Sequence, residues 1–440
     1  MPPMLGGTIS DAPLTGATQM PLSPVSSRSY LVPGFEYYGQ MDSNANNTSG
    51  PYNFAFINTV LGTLAVQKVG RGSLLNLNYL GGRSFSTHGN AFNSTTHELG
   101  VAALWSRGRW DGVVANKLVY SSEAAFLGGA VPFDITGINS VAGLEQTGPV
   151  VLRNSFLPGQ GIFTSFGPRL SDVAIAQINN HISRRLFFTA VGNYNTLHFF
   201  NSPLINSSAG GFQTGIGYQK SREDTIALVY RFNDLWYQGL PVSIRDNVIE
   251  LAYQRQLGER LMFQAGAGPE ITFIHDPGVG PGPPSETRVS WTADASFRYR
   301  FTRNTSFVLG YDHYLTSGSG VFLGSVRDGV YVGVNRELSR MWILSITGSY
   351  AHNKNLIPVT FGTGVASAPA NAAYDSFYGG VEVHRRIGRD SDLFFGYLGR
   401  YQTANYTLCA TGTGFCVGSN LVGNQVNFGF VWRLKPIPVG

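Results

Sequence analysis

Histidine is the side chain here best suited to acid–base or metal chemistry, and five, His88, His97, His198, His275 and His352, fall near the ends of the longer connections. A catalytic or metal-binding rim would need them paired with each other or with carboxylates, as in His-x-x-x-His or Glu-x-x-His. No such pair lies on any element the sequence predicts. Neither an enzyme nor a metal site is therefore expected, and no cofactor is implied. Gly412-Thr413-Gly414 has the glycine content of a phosphate cradle but no helix pattern after it, so that chemistry lacks its structural context. Cys409 and Cys416 are the only cysteines. A disulfide closing that short loop suits an oxidising compartment, and two free thiols are the alternative.

The elements that would position these residues are strands. From Arg288 to Phe301 the even positions read Arg288, Ser290, Thr292, Asp294, Ser296, Arg298 and Arg300, and the odd ones Val289, Trp291, Ala293, Ala295, Phe297, Tyr299 and Phe301. Strict alternation gives one polar and one apolar face. A strand in a soluble sandwich runs about 5–6 residues, whereas a tilted strand crossing a bilayer needs about 9–11. The length and the two unlike faces predict lipid on one side and water on the other.

Composition agrees. Only 13% of the 440 residues are charged, against about 25% in an ordinary soluble domain. Mean hydropathy is nevertheless −0.02, and no apolar run reaches the length of a membrane-spanning helix. Dyad alternation hides the membrane signal from such an average. The net charge of +5 is scattered through turns and strands rather than gathered in a basic run, so nucleic acid is not an expected partner.

Residues 1–29 are rich in Pro, Ser, Thr and Gly without periodicity and predict a flexible leader. The opening Met1-Pro2-Pro3 lacks the basic and apolar regions of a secretory signal, so a barrel reading expects a processed form. Residues 30–440 then predict about eighteen alternating strands, the first near 30–41 and the last near 421–434, with sixteen as the alternative if the Pro33-Gly34 strand and one other fail. Short charged turns such as Ser106–Arg109, Leu257–Arg260 and Ile387–Asp390 alternate with longer connections such as His275–Glu286, Thr316–Gly324 and Asn353–Ala373. This asymmetry is that of an outer-membrane barrel with short periplasmic turns. An even strand number puts both termini on that side. The span 122–171 is too long for an ordinary loop; it either folds inward to narrow the lumen or forms an external or oligomer-contacting surface.

In the last strand, Val422, Val426, Phe428, Phe430, Trp432 and Leu434 alternate with Gly423, Gln425, Asn427, Gly429, Val431 and Arg433. This resembles the C-terminal strand of bacterial outer-membrane β-barrels, porins among them. The tail Lys435–Gly440 departs from that pattern, since the family usually ends on the aromatic itself. The resemblance implies an all-β, transmembrane, antiparallel up-and-down barrel in the bacterial outer membrane.

Parity then assigns faces. Lumen-facing candidates are Glu250, Glu270, Arg288, Asp294, Arg298, Arg300, Asp312, Arg327, Glu382 and Arg400. Lipid-facing aromatics are Trp291, Phe297, Tyr299, Trp342, Phe428, Phe430 and Trp432. A barrel this wide leaves an aqueous channel unless something fills it. The expected function is passive diffusion of small hydrophilic solutes through an outer-membrane channel. The alternative is a structural or partner-binding barrel, its lumen occluded by 122–171 or by another protein. Expected partners are outer-membrane lipid and the solutes, with a homo-oligomer or a periplasmic or surface partner left open.

Overall fold

The computed structural model describes residues 29–45, 54–87, 93–121, 168–200, 204–258, 260–276, 285–320, 322–357, 372–388, 390–405, 408–409, 416–417 and 420–439. The barrel strands are β1 (Tyr30–Asp42), β2 (Ala55–Gly70), β3 (Ser73–Ser86), β4 (Ser94–Arg107), β5 (Trp110–Ser121), β6 (Arg169–His181), β7 (Leu186–Phe199), β8 (Ser207–Gln219) and β9 (Asp224–Tyr237). They continue as β10 (Ser243–Leu257), β11 (Leu261–His275), β12 (Ser285–Thr302), β13 (Thr305–Thr316), β14 (Leu323–Glu337), β15 (Trp342–Ile357), β16 (Ala373–Arg386) and β17 (Ser391–Ala404). A small ladder, β18 (Leu408–Cys409) with β19 (Cys416–Val417), precedes the closing strand β20 (Leu421–Arg433) and the two-residue β21 (Ile437–Pro438).

Each barrel strand pairs antiparallel with the next, and β20 returns to β1 over Gly34↔Arg433 to Asp42↔Gln425. The result is a closed barrel of eighteen strands. The sixteen-strand alternative falls away because β1 forms in spite of Pro33. Leu434 donates to the Pro33 carbonyl on the β20 side, where the β1–β20 ladder ends, so the missing proline N–H costs no ladder bond. Closure gives every barrel strand a partner on both flanks, the condition hydrocarbon imposes on any sheet.

Both termini of the barrel, Tyr30 and Arg433, lie on the rim of short turns. Gly72, Gly108, Gly258 and Gly388 stand in these turns with φ of 62° to 81°, a left-handed backbone that glycine adopts without strain. The cysteine hairpin rises from the opposite rim, where the backbone register sets Cys409 across from Cys416; their side chains lie outside the described residues. So do the leader through residue 28 and nearly all of 122–171, of which β6 takes the part from Arg169 onward.

The register sorts the side chains into two populations. Along β15, Trp342, Leu344, Ile346 and Tyr350 point outward, with His352 and Lys354 beyond them toward the long-loop rim. From Trp342 to Tyr350 a strand climbs about 26 Å along itself and, at the usual tilt, about 20 Å along the barrel axis. That is close to the height of a transmembrane apolar band. Tyr hydroxyls mark the band's edge nearer the long loops. Tyr37 donates to Asn58 at 2.7 Å, Tyr230 to Asn247 at 2.9 Å and Tyr397 to Asn424 at 2.7 Å. Trp105, Trp110, Trp342 and Trp432 sit at strand ends on the short-turn side and are exposed, the placement of an interfacial girdle.

Candidate functional site: the inner wall and the mouth

The register places every lumen-facing candidate on the inner surface: Glu250 and Glu270 on β10 and β11, Arg288, Asp294, Arg298 and Arg300 on β12, Asp312 and Arg327 on β13 and β14, and Glu382 and Arg400 on β16 and β17. Position is what the geometry gives; conduction by any of them is a separate matter. The lipid-facing aromatics lie on the outer surface, with Trp291 51% exposed and Phe428 38%.

The inner wall carries both signs, and neighbours neutralise one another. Arg400 Nη2 donates to both carboxylate oxygens of Asp42 at 2.7 Å, and both side chains are almost wholly buried. Arg327 donates to the Tyr314 hydroxyl at 2.8 Å and lies 3.4 Å from Asp312. Lys117 meets Glu98 at 2.9 Å, Arg433 meets Asp392 at 2.7 Å, and His384 pairs with Glu382. Arg288 is fixed by Glu286 at 2.7 Å and by the Leu356 carbonyl at 2.8 Å. Ser290 donates to Glu270 at 2.7 Å. Such pairs offset the cost of taking each charge out of water. The wall is also covered: Arg327 is 1% exposed and Gln425 and Asn427 0%.

A second feature closes part of the mouth. The connection between β13 and β14 folds in over the lumen as a strap instead of standing up from the rim. Gly318, Gly320 and Gly324 have φ of 77°, 82° and 77°, so the chain reverses sharply through a 3-10 turn at Gly318–Gly320. The Ile205 amide, in the β7–β8 connection, donates to the Gly320 carbonyl at 2.8 Å. Tyr237, at the end of β9, donates to the Ser317 carbonyl at 3.3 Å. Since β9 to β12 lie between those connections around the barrel, the strap cuts a chord across the opening. Phe322 and Leu323 are fully buried against Leu235, Ile244, Ile274, Leu356 and Tyr374, and the rings of Phe322 and Tyr374 lie 5.3 Å apart. A dry core therefore sits inside the mouth on one side.

The sequence-predicted histidines do not converge. His97 bonds the Tyr79 hydroxyl at 2.9 Å, His198 packs edge-on against Phe200 with ring centres 4.5 Å apart, and His275 contacts Ser285 at 3.4 Å. His352 bonds Asp375 at 2.8 Å, and His88 lies outside the described residues. Sequence reasoning passed over His313, which bonds Asp328 at 2.7 Å and stacks on Trp291 with ring centres 4.0 Å apart. In register, His313, Asp328, His352 and Asp375 form a row on the outer surface across β13 to β16, level with the polar edge of the band. It also passed over the strap and the polar residues Arg231 and Asp246 beneath it. Three glycines with Phe322-Leu323 inside one loop were the available signal.

The fold and wall define the class: a closed, up-and-down, antiparallel β-barrel with an apolar exterior of membrane dimensions and a charged interior. No protein-family model and no curated protein matches the chain. Among solved structures it is similar to the outer membrane protein OpdK of Pseudomonas aeruginosa, with a TM-score of 0.44 and 10% identity over 92% of this chain and 98% of that one. OccK2 (OpdF) of the same organism gives 0.43 and 10% over 92% and 98%. The FrpB iron transporter of Neisseria meningitidis gives 0.44 and 7% over 94% and 83%. The functional reading rests on this chain's own geometry.

Proposed function

We propose that this protein is a bacterial outer-membrane channel through which small hydrophilic solutes diffuse, with both termini on the periplasmic side and the strap narrowing the outer mouth. The observation that carries the reading is the change of polarity across a single wall: outward positions on β15 from 342 to 350 read Trp342, Leu344, Ile346, Gly348 and Tyr350, while inward ones from 343 to 353 read Ile343, Ser345, Thr347, Ser349, Ala351 and Asn353. A closed ring with that polarity is stable only with lipid outside and polar matter inside. The paired charges would let hydrated solutes slide past without a deep electrostatic trap. Reconstitution into planar bilayers tests this, with stable open current steps expected; their absence at every voltage would remove the channel reading.

A second reading has its own support. Arg327, Gln425 and Asn427 are as buried as core residues within the single chain, so the polar wall is covered at their level, which supports a structural or partner-binding barrel with an occluded lumen. Deleting 122–167 separates the two: a rise in conductance assigns the occlusion to that span, and silence in both forms favours a structural or partner-binding barrel.

A further inference from the structure

The β12–β13 ladder stops short of the rim. β11 pairs with β12 all the way from His275↔Ser285, but β13 meets β12 only from Ala293↔His313 toward the short turns. The strap is the cause. Beyond His313 the chain turns inward and buries Leu315 and Ser317, and Thr292 Oγ1 donates to the His313 carbonyl where the two strands part. The amide of Arg300 donates to the Arg260 carbonyl, which continues the β11–β12 register and fixes the direction of every backbone group. In an antiparallel ladder these groups face the two flanks on alternate residues. Glu286, Arg288, Ser290 and Thr292 therefore serve β11, whereas Ser285, Thr287, Val289 and Trp291 turn N–H and C=O toward the flank that β13 has left. Among the described residues no strand pairs with them there.

This flank stands clear of the hydrocarbon. Counted from the short-turn end, Ala293 is eight residues above Phe301, as Tyr350 at the top of the apolar band is above Trp342. Residues 285–292 thus rise into water, which solvates the open backbone groups while the flank is empty. Their outward side chains are nevertheless apolar. Val289 lies across from Ile271, with Trp291 below it and Phe273 above, and Val289 is 77% exposed and Phe273 46%. Arg245, outward and exposed on β10 across from Phe273, marks the height as wet. Strand edges are ordinarily guarded by an outward charge, a proline, a bulge or a covering element, and 285–292 has none of these among the described residues. Its two charges, Glu286 and Arg288, lie on the inner side and hold each other, and Arg288 also holds the Leu356 carbonyl. An unguarded edge beside an exposed apolar stripe is a surface made for another chain.

We propose that this flank of β12 binds an extended segment of a separate protein, which joins the wall as an added strand. Its backbone pairs with Ser285, Thr287, Val289 and Trp291, and its outward side chains, uncharged and apolar on alternate residues, prolong the stripe of Val289 and Trp291. Backbone pairing supplies affinity in such additions and the alternate side chains supply selectivity. The chain's own stretch in line for the place, around Leu315 and Phe322, is held in the dry core inside the mouth. A second copy in the same membrane does not fit either: its axis of symmetry runs along the membrane normal, so strands tilted by about 35–45° would cross at about 70–90° instead of pairing. The proposal goes beyond the channel reading and is independent of whether the lumen is open or filled.

Hydrogen exchange followed by NMR on the full chain in lipid nanodiscs tests it, with a short peptide of alternating threonine and valine, a lysine at each end, as the probe. Without peptide, the amides of Thr287, Val289 and Trp291 should exchange at least about tenfold faster than those of Glu286, Arg288 and Ser290. The peptide should bind saturably and slow the fast set alone. Its fully N-methylated analogue, which has no N–H to give, should bind at least about tenfold more weakly, as loss of backbone hydrogen bonds predicts. Val289→Pro removes an N–H from the open flank only, a position where an edge strand tolerates proline, and should weaken the peptide by a similar factor. Slow exchange of both sets without peptide would show the flank already covered, by this chain or by a second copy, and would overturn the proposal. So would equal binding of the peptide and its N-methylated analogue, binding matched by empty nanodiscs, or no binding at all. If Val289→Pro fails to form the closed barrel, the exchange pattern and the two peptides on the unaltered protein decide.

Discussion

The amide of Ile205 donates to the carbonyl of Gly320 at 2.8 Å, joining the β7–β8 connection to the β13–β14 connection above the strands between them. That bond is peripheral to the ring of barrel pairings, so the strap can loosen while the barrel stays closed. Its anchor is Phe322, whose removal to alanine should cost about 3–5 kcal/mol of packing. Phe322→Ala is therefore expected to fold, to lose the strap's fixed position and to pass larger unit currents than the parent in single-channel recordings. Unit currents equal to those of the parent would show that the strap does not limit passage.

Arg400 and Asp42 form an enclosed ion pair, with both side chains at 2% exposure. Removing one partner strands the other. Asp42→Ala should destabilise the barrel by about 3–5 kcal/mol in urea titrations from lipid vesicles, and Asp42→Ala combined with Arg400→Met by much less than the sum of the two.

Ile346 and Thr347 are neighbours in sequence on opposite surfaces of β15. Ile346→Arg puts a guanidinium in the middle of the apolar band and should cost about 2–4 kcal/mol in folding from urea into vesicles. Thr347→Arg faces the polar interior and should cost far less. A reversed order would place lipid on the other face.

Cys409 and Cys416 stand opposite one another in the β18–β19 ladder, and a disulfide between them is expected. Alkylation of the denatured, unreduced protein should then find no free thiol, and two after reduction. Closing so small a loop contributes about 2 kcal/mol locally by the chain-entropy argument. Cys409→Ser should accordingly leave global unfolding unchanged and speed proteolysis of the hairpin.

Much of this architecture was legible in the chain because two solvents write different patterns on alternate residues. Arg288 to Phe301 alternates without a break and became β12, and turns such as Ser106–Arg109 fell where glycine and charge interrupt the pattern. The strap was not legible. Phe322 and Leu323, the residue that opens β14, follow a glycine-rich stretch with no periodicity, and what makes them core residues is packing with Ile244 and Tyr374 on strands remote in sequence. The neighbourhood of Arg231 and Asp246 on the inner wall was hidden for a related reason. Alternation tells which face a charge occupies but not which charges on different strands share a level, and that depends on registers fixed only on closure.

The seam between the first and last strands has a bearing on how the molecule is made. Ile437 and Pro438 run on beyond β20 to lie against Leu31 and Tyr30, and Val439 donates to the Ser29 carbonyl. A chain emerging from its amino end must therefore keep β1 uncommitted on one flank until the final stretch is released, and the whole wall becomes tolerable to hydrocarbon in one event. Premature termination anywhere before Leu421 would leave a ribbon with two raw margins, a substrate for chaperones and proteases instead of a shorter pore.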